Sequence, residues 1–154
     1  MSALSTVILL VVGCSVHVGV LPITGTWAVS AVEAPVAEPD VDAWTRDAVA
    51  SALAARGALD PAGGALRVTV RDAAYTPSRR AGDVLLYEAR LTLEMEAAGR
   101  TVTRTRAWTV RDPGDAASAR SQREAALRTL ATQVAEDCIT ALLATPAAAP
   151  APSR

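Results

Sequence analysis

Side chains able to carry covalent or metal chemistry are scarce in this sequence. Its 154 residues contain two cysteines, Cys14 and Cys138, and one histidine, His17. His17 lies three residues beyond Cys14, in a segment expected beside a membrane, so neither a Cys–His nucleophile nor a His/Cys metal cluster is apparent. Gly63-Gly64 precedes a predicted strand rather than a helix, which argues against a phosphate-binding loop. We expect a protein that is not an enzyme and needs no cofactor or metal, with a carboxylate pair from distant segments as the one open route to catalysis.

Cys14 closes an apolar run near the start of the chain. Eighteen uncharged residues, Leu4 to Leu21, fall short of the roughly twenty apolar residues that a transmembrane helix needs. The stretch Val7–Val12 is typical of the apolar core of a secretion signal. The tetrapeptide Val11-Val12-Gly13-Cys14 resembles the bacterial lipobox, and this resemblance implies a diacylglycerol on the Cys14 thiol and Cys14 as the mature N-terminus.

This interpretation divides the chain into four parts and places it in the envelope. We expect a signal peptide at 1–13, an anchor and linker at 14–26, a folded domain at 27–143 and a disordered Pro/Ala tail at 144–154. The expected location is therefore a membrane surface of the bacterial envelope. No Lys or Arg precedes the apolar run, as a signal peptide would normally have. Two alternatives therefore stay open: ordinary cleavage near Ala28–Ala31, or a retained membrane anchor.

Charge is distributed unevenly along the chain. The net charge of −1 argues against nucleic acid as a partner, because nucleic-acid-binding domains are strongly basic. From Arg67 to Arg111, however, nine arginines face five acids, a local charge of +4, and both flanking regions are acidic. The basic middle of the chain is a weak indication of an anionic partner.

The first half of the predicted domain contains a strand, a helix and a second strand. Trp27–Val32 is rich in β-forming residues, and helix one is predicted over 41–56, with Asp40 as N-cap and Gly57 as the stop. The segment "LRVTVR" (66–71) alternates apolar and polar residues, which predicts a half-buried strand with a basic outer face. The segment "YTPSRRAGD" (75–83) is predicted to be a loop.

The second half is predicted to be a β-hairpin followed by a long helix. Residues 85–96 form the longest alternating run, "AAGR" (97–100) predicts a turn with Gly99 at positive φ, and 101–110 returns as a strand whose buried face the pattern leaves open. Helix two is predicted from about 115 to 143, or from Ser121 if its capping-box spacing marks the start. One face of this helix carries an apolar stripe, in which Cys138 is expected to be core: Leu127, Leu130, Val134, Cys138 and Leu142. The predicted fold is α+β, a two-layer sandwich with two helices on one face of a four-stranded, mostly antiparallel sheet in the order β-α-β-β-β-α.

This layout resembles the LptE family of outer-membrane lipoproteins, which assist lipopolysaccharide (LPS) assembly. Three stretches are similar to that family: "AVSAVEAPVAEPDVDAWTRDAVASALAARG" to its opening strand and helix, "DVLLYEARLTLEMEAAGR" to its central hairpin, and "REAALRTLATQVAEDCITALL" to its closing helix. The resemblance implies a non-catalytic protein that plugs an LptD-like β-barrel and contacts LPS. It also implies a location on the periplasmic face of the outer membrane, with attachment through the lipid anchor. The alternative is an accessory lipoprotein of another envelope machine, such as a peptidoglycan-synthase activator or a transporter-associated lipoprotein.

The resemblance also gives the arginines a candidate ligand. The phosphates of LPS are anionic, and the guanidinium group binds phosphate in a bidentate manner. Arg79 and Arg80, on the predicted loop tip, are the best-placed candidates, and the other four lie on predicted strands: Arg67, Arg71, Arg104 and Arg106. The competing interpretation for each is ordinary solvated charge.

Overall fold

The observed elements follow the predicted order of strand, helix, three strands and helix. The computed structural model describes residues 25–36, 38–82 and 84–144; the predicted signal peptide, Cys14, His17 and the tail from 145 onward lie outside these ranges. The elements are β1 (Trp27–Glu33), α1 (Val41–Ala54), β2 (Gly64–Ala81), β3 (Val84–Ala97), β4 (Arg100–Arg111) and α2 (Ala116–Ala144). The α+β fold class is therefore confirmed.

The four strands form one mixed sheet in the order β1-β2-β3-β4. β1 and β2 pair in parallel, because α1 carries the chain back over the sheet between them. β2 and β3, and then β3 and β4, pair antiparallel through short turns. The sheet is thus mostly antiparallel, as predicted, and β1 and β4 are its two edges.

β2 is longer than the sequence pattern predicted, and the predicted loop at 75–83 is wrong. The strand continues past Arg71 to Ala81 and pairs with β3 along this extension. Two register shifts, at Val70/Asp72 and at Pro77/Arg79, interrupt the alternation that would have shown the strand in the sequence. Pro77 is tolerated because β1 pairs with β2 only as far as Thr69, so no strand of the described residues lies beside this part of β2.

The turn between β3 and β4 is a tight two-residue connection. Ala98 has φ 50° and Gly99 has φ 73°, the positive values that a type I′ turn requires at both central positions. Gly99 therefore occupies the predicted left-handed position. This turn type matches the right-handed twist of the flanking strands, so it fixes the register of the β3–β4 hairpin.

The ends of the helices test three predictions: the stop at Gly57, the N-cap at Asp40 and the first residue of α2. Gly57, at φ 64°, ends α1: its N–H donates to the Ala54 carbonyl (2.9 Å), and the next N–H donates to the Leu53 carbonyl (2.9 Å). Asp40 stands at the N-cap position but is left-handed itself and makes no side-chain cap bond. α2 begins before Ser121, because the Asp115 carboxylate accepts the backbone N–H of Ser118 at 2.9 Å.

Both helices pack on one face of the sheet and bury a core of small and aliphatic side chains. All five residues of the predicted stripe on α2 are buried, and Cys138 is among them with no exposed surface. On the sheet, alternate residues of β3 meet this stripe, and the fully buried ones are Ala89, Leu91, Leu93 and Met95. Burial raises the pKa of the Cys138 thiol to about 11, so this cysteine behaves as a core residue rather than a nucleophile.

Leu130→Ala tests this packing. Leu130 is 1% exposed, and removing most of a buried Leu side chain costs about 2–5 kcal/mol of the free energy of unfolding. We expect a loss in that range by chemical denaturation. Gln133→Ala, an exposed position on the same helix, is the control and should change the free energy of unfolding little. Equal losses from the two substitutions would contradict the assignment of the buried face.

Candidate functional site

The six candidate arginines do not form one basic surface, because they lie on both faces of the sheet. Arg104 and Arg106 stand opposite Leu93 and Leu91 in the β3–β4 ladder. Directly opposed residues of an antiparallel pair share a face, and the two leucines are buried under the helices. Arg104 and Arg106 therefore lie on the helix-side face of the sheet. The sequence pattern had left open which face of this strand is buried.

Arg106 is held by a carboxylate of α2. Its Nε and second guanidinium nitrogen donate to the two carboxylate oxygens of Asp137 at 2.5 and 3.0 Å, a bidentate pair. These hydrogen bonds lower the pKa of Asp137 and raise the pKa of Arg106, although partial burial acts against both shifts. Arg106 thus joins the edge strand to α2, and its charge is already balanced.

The arginines of the outer face are also balanced, by acids of β3. Arg71 donates to Glu94 at 2.6 Å, and Arg67 lies 3.8 Å from Glu96. The hydrogen bond between Arg71 and Glu94 raises the pKa of the arginine and lowers the pKa of the glutamate. Arg90 forms a third pair with an acid of β2 on the same face. Arg67 and Arg71 are exposed on the outer side of β2, as predicted, and pairing with acids of β3 makes the outer face of the whole sheet polar and charge-balanced.

Arg79 and Arg80 lie near the tip of the β2–β3 hairpin, in strand rather than in a loop. Arg79 is opposite Leu86 and Arg80 is opposite Leu85, so the two side chains leave the strand on opposite faces. Both are exposed, and neither has an ion pair within the described residues. They form a cationic tip that presents one guanidinium on each side of the sheet.

Two tyrosines that the sequence pattern did not single out stack on the helix-side face, close to this tip. The ring centroids of Tyr75 and Tyr87 are 4.9 Å apart, and the rings are inclined by 14°. Burial raises the pKa of Tyr75, and its hydroxyl has no hydrogen-bond partner among the described residues. The register shift after Val70 concealed the orientation of Tyr75, since its phase relative to the core could not be read from the alternation.

A shallow open groove of about 290 Å³ runs between the outer surfaces of α1 and α2. Its lining includes Trp44 and Arg128, whose guanidinium carbon lies 5.1 Å from the centroid of the Trp44 ring. Arg128 also donates to Glu124, one helical turn away, at 2.8 Å. The contact with Trp44 joins the two helices, whereas the ion pair with Glu124 lies within α2. Together they leave the guanidinium of Arg128 already engaged.

The described residues contain no group of three or more His, Cys, Asp or Glu side chains placed to hold a metal ion. Within the same part of the chain, no helix combines the length and apolar character needed to cross a membrane.

Comparison with known proteins identifies a shared fold. No protein-family model matches the chain, and no curated protein is similar to it. A protein from Caulobacter crescentus CB15, provisionally described as a lipoprotein, is 16% identical with a TM-score of 0.53, over 73% of this chain and 87% of that one. A minor lipoprotein from Acinetobacter baumannii is 17% identical (TM-score 0.47; 73% and 90% covered). Rare lipoprotein B from Shewanella oneidensis is 10% identical (TM-score 0.40; 73% and 91% covered). The first match shows that the two chains share a fold, and the other two are too distant to carry an argument.

The Arg106–Asp137 pair should make stability depend on pH. The folded pKa of Asp137 lies below its unfolded value, so the pair stabilises the protein above the unfolded pKa and the effect is lost as pH falls through the folded pKa. We expect Arg106→Ala to reduce the loss of stability measured by denaturation between about pH 5 and about pH 2. Arg111→Ala, on the same strand, should keep the pH dependence of the wild type. Identical profiles for all three proteins would mean that the pair contributes nothing in solution.

Proposed function

We propose that this protein is a non-catalytic, lipid-anchored accessory protein of the bacterial outer membrane that occupies the lumen of an LptD-like β-barrel and assists LPS assembly. The observation that carries the proposal is the outer face of the sheet, which is polar and charge-balanced and which neither helix of the described residues covers. The lumen of an outer-membrane barrel is polar, in contrast to its lipid-facing surface. A plug must therefore bury a polar surface without leaving charges unpaired.

The outer face of the sheet meets that requirement. The ion pairs of Arg67, Arg71 and Arg90 stay within the face, and the hydroxyls of Thr92 and Thr105 are 2.9 Å apart. Burying an unpaired charge is costly, whereas a pair that keeps its hydrogen bonds loses much less on desolvation. This face can therefore contact a polar wall while its own side chains satisfy each other.

The size of the domain limits the choice of barrel. Four strands spaced about 4.8 Å apart, with a helix layer about 10 Å above them, exceed the interior of an eight-stranded barrel, which only side chains can fill. The proposed partner must therefore be one of the large outer-membrane barrels, whose lumen admits a folded plug. This is the size class that the resemblance to the LptE family implies.

Attachment through Cys14 would hold the domain at the membrane surface next to such a barrel. The lipobox resemblance supports this part of the proposal, and so does the fold shared with a Caulobacter crescentus protein provisionally described as a lipoprotein. Two acyl signals are enough for stable anchoring, since each buried methylene contributes about 0.8 kcal/mol. The anchor raises the local concentration of the plug at the barrel and needs no specific contact of its own.

Isolation of the full chain from solubilised outer membrane tests the partner. We expect a large β-barrel to be recovered with it at moderate salt, because a plug contact is large rather than purely ionic. Glu94→Arg places two unpaired cations on the outer face and should abolish recovery of the barrel. Gln133→Arg adds a charge on an exposed part of α2 and is the matched control, which should retain it. Recovery of a peptidoglycan synthase or an inner-membrane transporter instead would favour the alternative function.

The cationic tip supplies a second test, which concerns the LPS phosphates. Arg79→Ala/Arg80→Ala should weaken binding of the full chain to LPS on the order of tenfold at low ionic strength and less at physiological salt. Thermal stability should not change, because both side chains are exposed. Arg46→Ala/Arg120→Ala removes the same charge from the helices and should leave binding unchanged. Equal weakening by both double variants would mean that only net charge matters, and the tip would lose its assigned role.

A further inference from the structure

β4 is a long and regular edge strand. All twelve of its residues, Arg100 to Arg111, pair with β3 without a register shift. Within the described residues, no strand pairs with its other side. Natural proteins usually protect such edges with a short strand, charged side chains, a bulge or a proline, and of these devices β4 has only its arginines. β4 has neither a bulge nor a proline, and it is longer than most strands.

The type I′ turn fixes which backbone groups of β4 face the free edge. In a two-residue hairpin, the residues that flank the turn, here Ala97 and Arg100, exchange both of their backbone hydrogen bonds. Every second residue after Arg100 therefore bonds to β3, and the intervening residues direct their N–H and C=O groups outward. The outward residues are Thr101, Thr103, Thr105, Ala107, Thr109 and Arg111. The free edge thus offers an alternating row of donors and acceptors, of which the Thr103 carbonyl already accepts from the Arg104 side chain.

The charge of β4 selects the kind of strand that could pair there. β4 contains four arginines and no acid. Of the two near its centre, Arg106 is bound to Asp137, whereas Arg104 donates only to the adjacent Thr103 carbonyl. A second copy of β4 would place arginines near arginines, and like charges on paired strands are destabilising. An acidic strand would instead find, near the middle of the edge, a guanidinium that makes no ion pair within the described residues.

An exposed aromatic ring adds a contact of a different kind. Trp108 is 49% exposed, one of two large hydrophobic side chains exposed among the described residues. It stands opposite Ala89, on the same helix-side face as Arg104. Tryptophan is enriched among the residues that dominate binding energy in protein interfaces. The edge therefore combines backbone groups, a cation that makes no ion pair within the described residues and an exposed apolar side chain.

We propose that β4 is a docking edge that takes an extended, acidic segment of a partner protein as a fifth strand. Backbone hydrogen bonds to the outward residues provide affinity, as in other cases of strand addition. A carboxylate beside Arg104 and an apolar side chain against Trp108 provide selectivity. This proposal depends only on the observations of β4, and it does not require that the domain occupies a barrel.

Amide hydrogen exchange, followed residue by residue by NMR on the full chain in mild detergent, tests the proposal directly. In the free protein, the outward amides of β4 should exchange fast and the alternate amides slowly. The probe is a synthetic peptide of alternating Glu and Thr with one Val, and it should slow the outward amides by about tenfold or more. The same peptide with Lys in place of Glu should have no effect. Equal protection by both peptides, or by neither, overturns the proposal.

Slow exchange of the outward amides before any peptide is added would also overturn it. That result would mean that a second copy or another segment of this chain already occupies the edge. Dilution distinguishes these two occupants, because pairing between copies weakens as the protein concentration falls, whereas pairing within one chain does not.

Thr103→Pro supplies the matched variant. Proline at this position removes one outward N–H and no bond to β3, so the fold should be retained while peptide binding falls about tenfold or more. Thr103→Ala keeps the amide and should bind like the wild type. A Pro variant that folds and still binds overturns the proposal; if it does not fold, the exchange pattern of the wild type decides.

Discussion

The burial of one face of β3 beneath α2 is the constraint on which the rest of the structure depends. β3 is paired on both sides along nearly its whole length, and Leu91, Leu93 and Met95 have no exposed surface. A shift of one residue in its register would move all three to the outer face, so the register is strongly determined. The positions of β2 and β4, and therefore of every arginine on them, follow from this one strand.

Local patterns predicted the elements well, because each signal lay within a short stretch of sequence. The stripe on α2 and the alternation of β3 gave the two main faces, and Gly99 and Gly57 marked a turn and a helix end. β2 was predicted too short because no local pattern marks its second half as a strand. Its second half pairs only with β3, and its two register shifts remove the alternation that would reveal a strand. Pairing with a distant segment decided its length.

The candidate site could be predicted only in its residue types. Nine arginines between Arg67 and Arg111 were visible in the sequence, but their partners lie on other strands or on α2. Arg71 meets Glu94 across the sheet, and Arg106 meets Asp137 at a separation of 31 residues. Charge counted along a segment measures composition, whereas a binding surface depends on the charge that remains after such pairs form. The spacing of arginines along the sequence does not show which of them form ion pairs in the fold.

The structure sorts these nine arginines into two groups with different surroundings. Four are paired with carboxylates within the described residues: Arg67, Arg71, Arg90 and Arg106. The other five have no ion pair there: Arg79, Arg80, Arg100, Arg104 and Arg111. The paired group lies over the body of the sheet or against α2, and the second group lies at the hairpin tip and along β4. Uncompensated charge therefore coincides with the two places where backbone and side chains are open to a partner. The charges on the outer face of the sheet are paired with each other, so this face can be buried against a partner at little electrostatic cost. The unpaired arginines at the tip and along β4 can then select a partner with complementary negative charge.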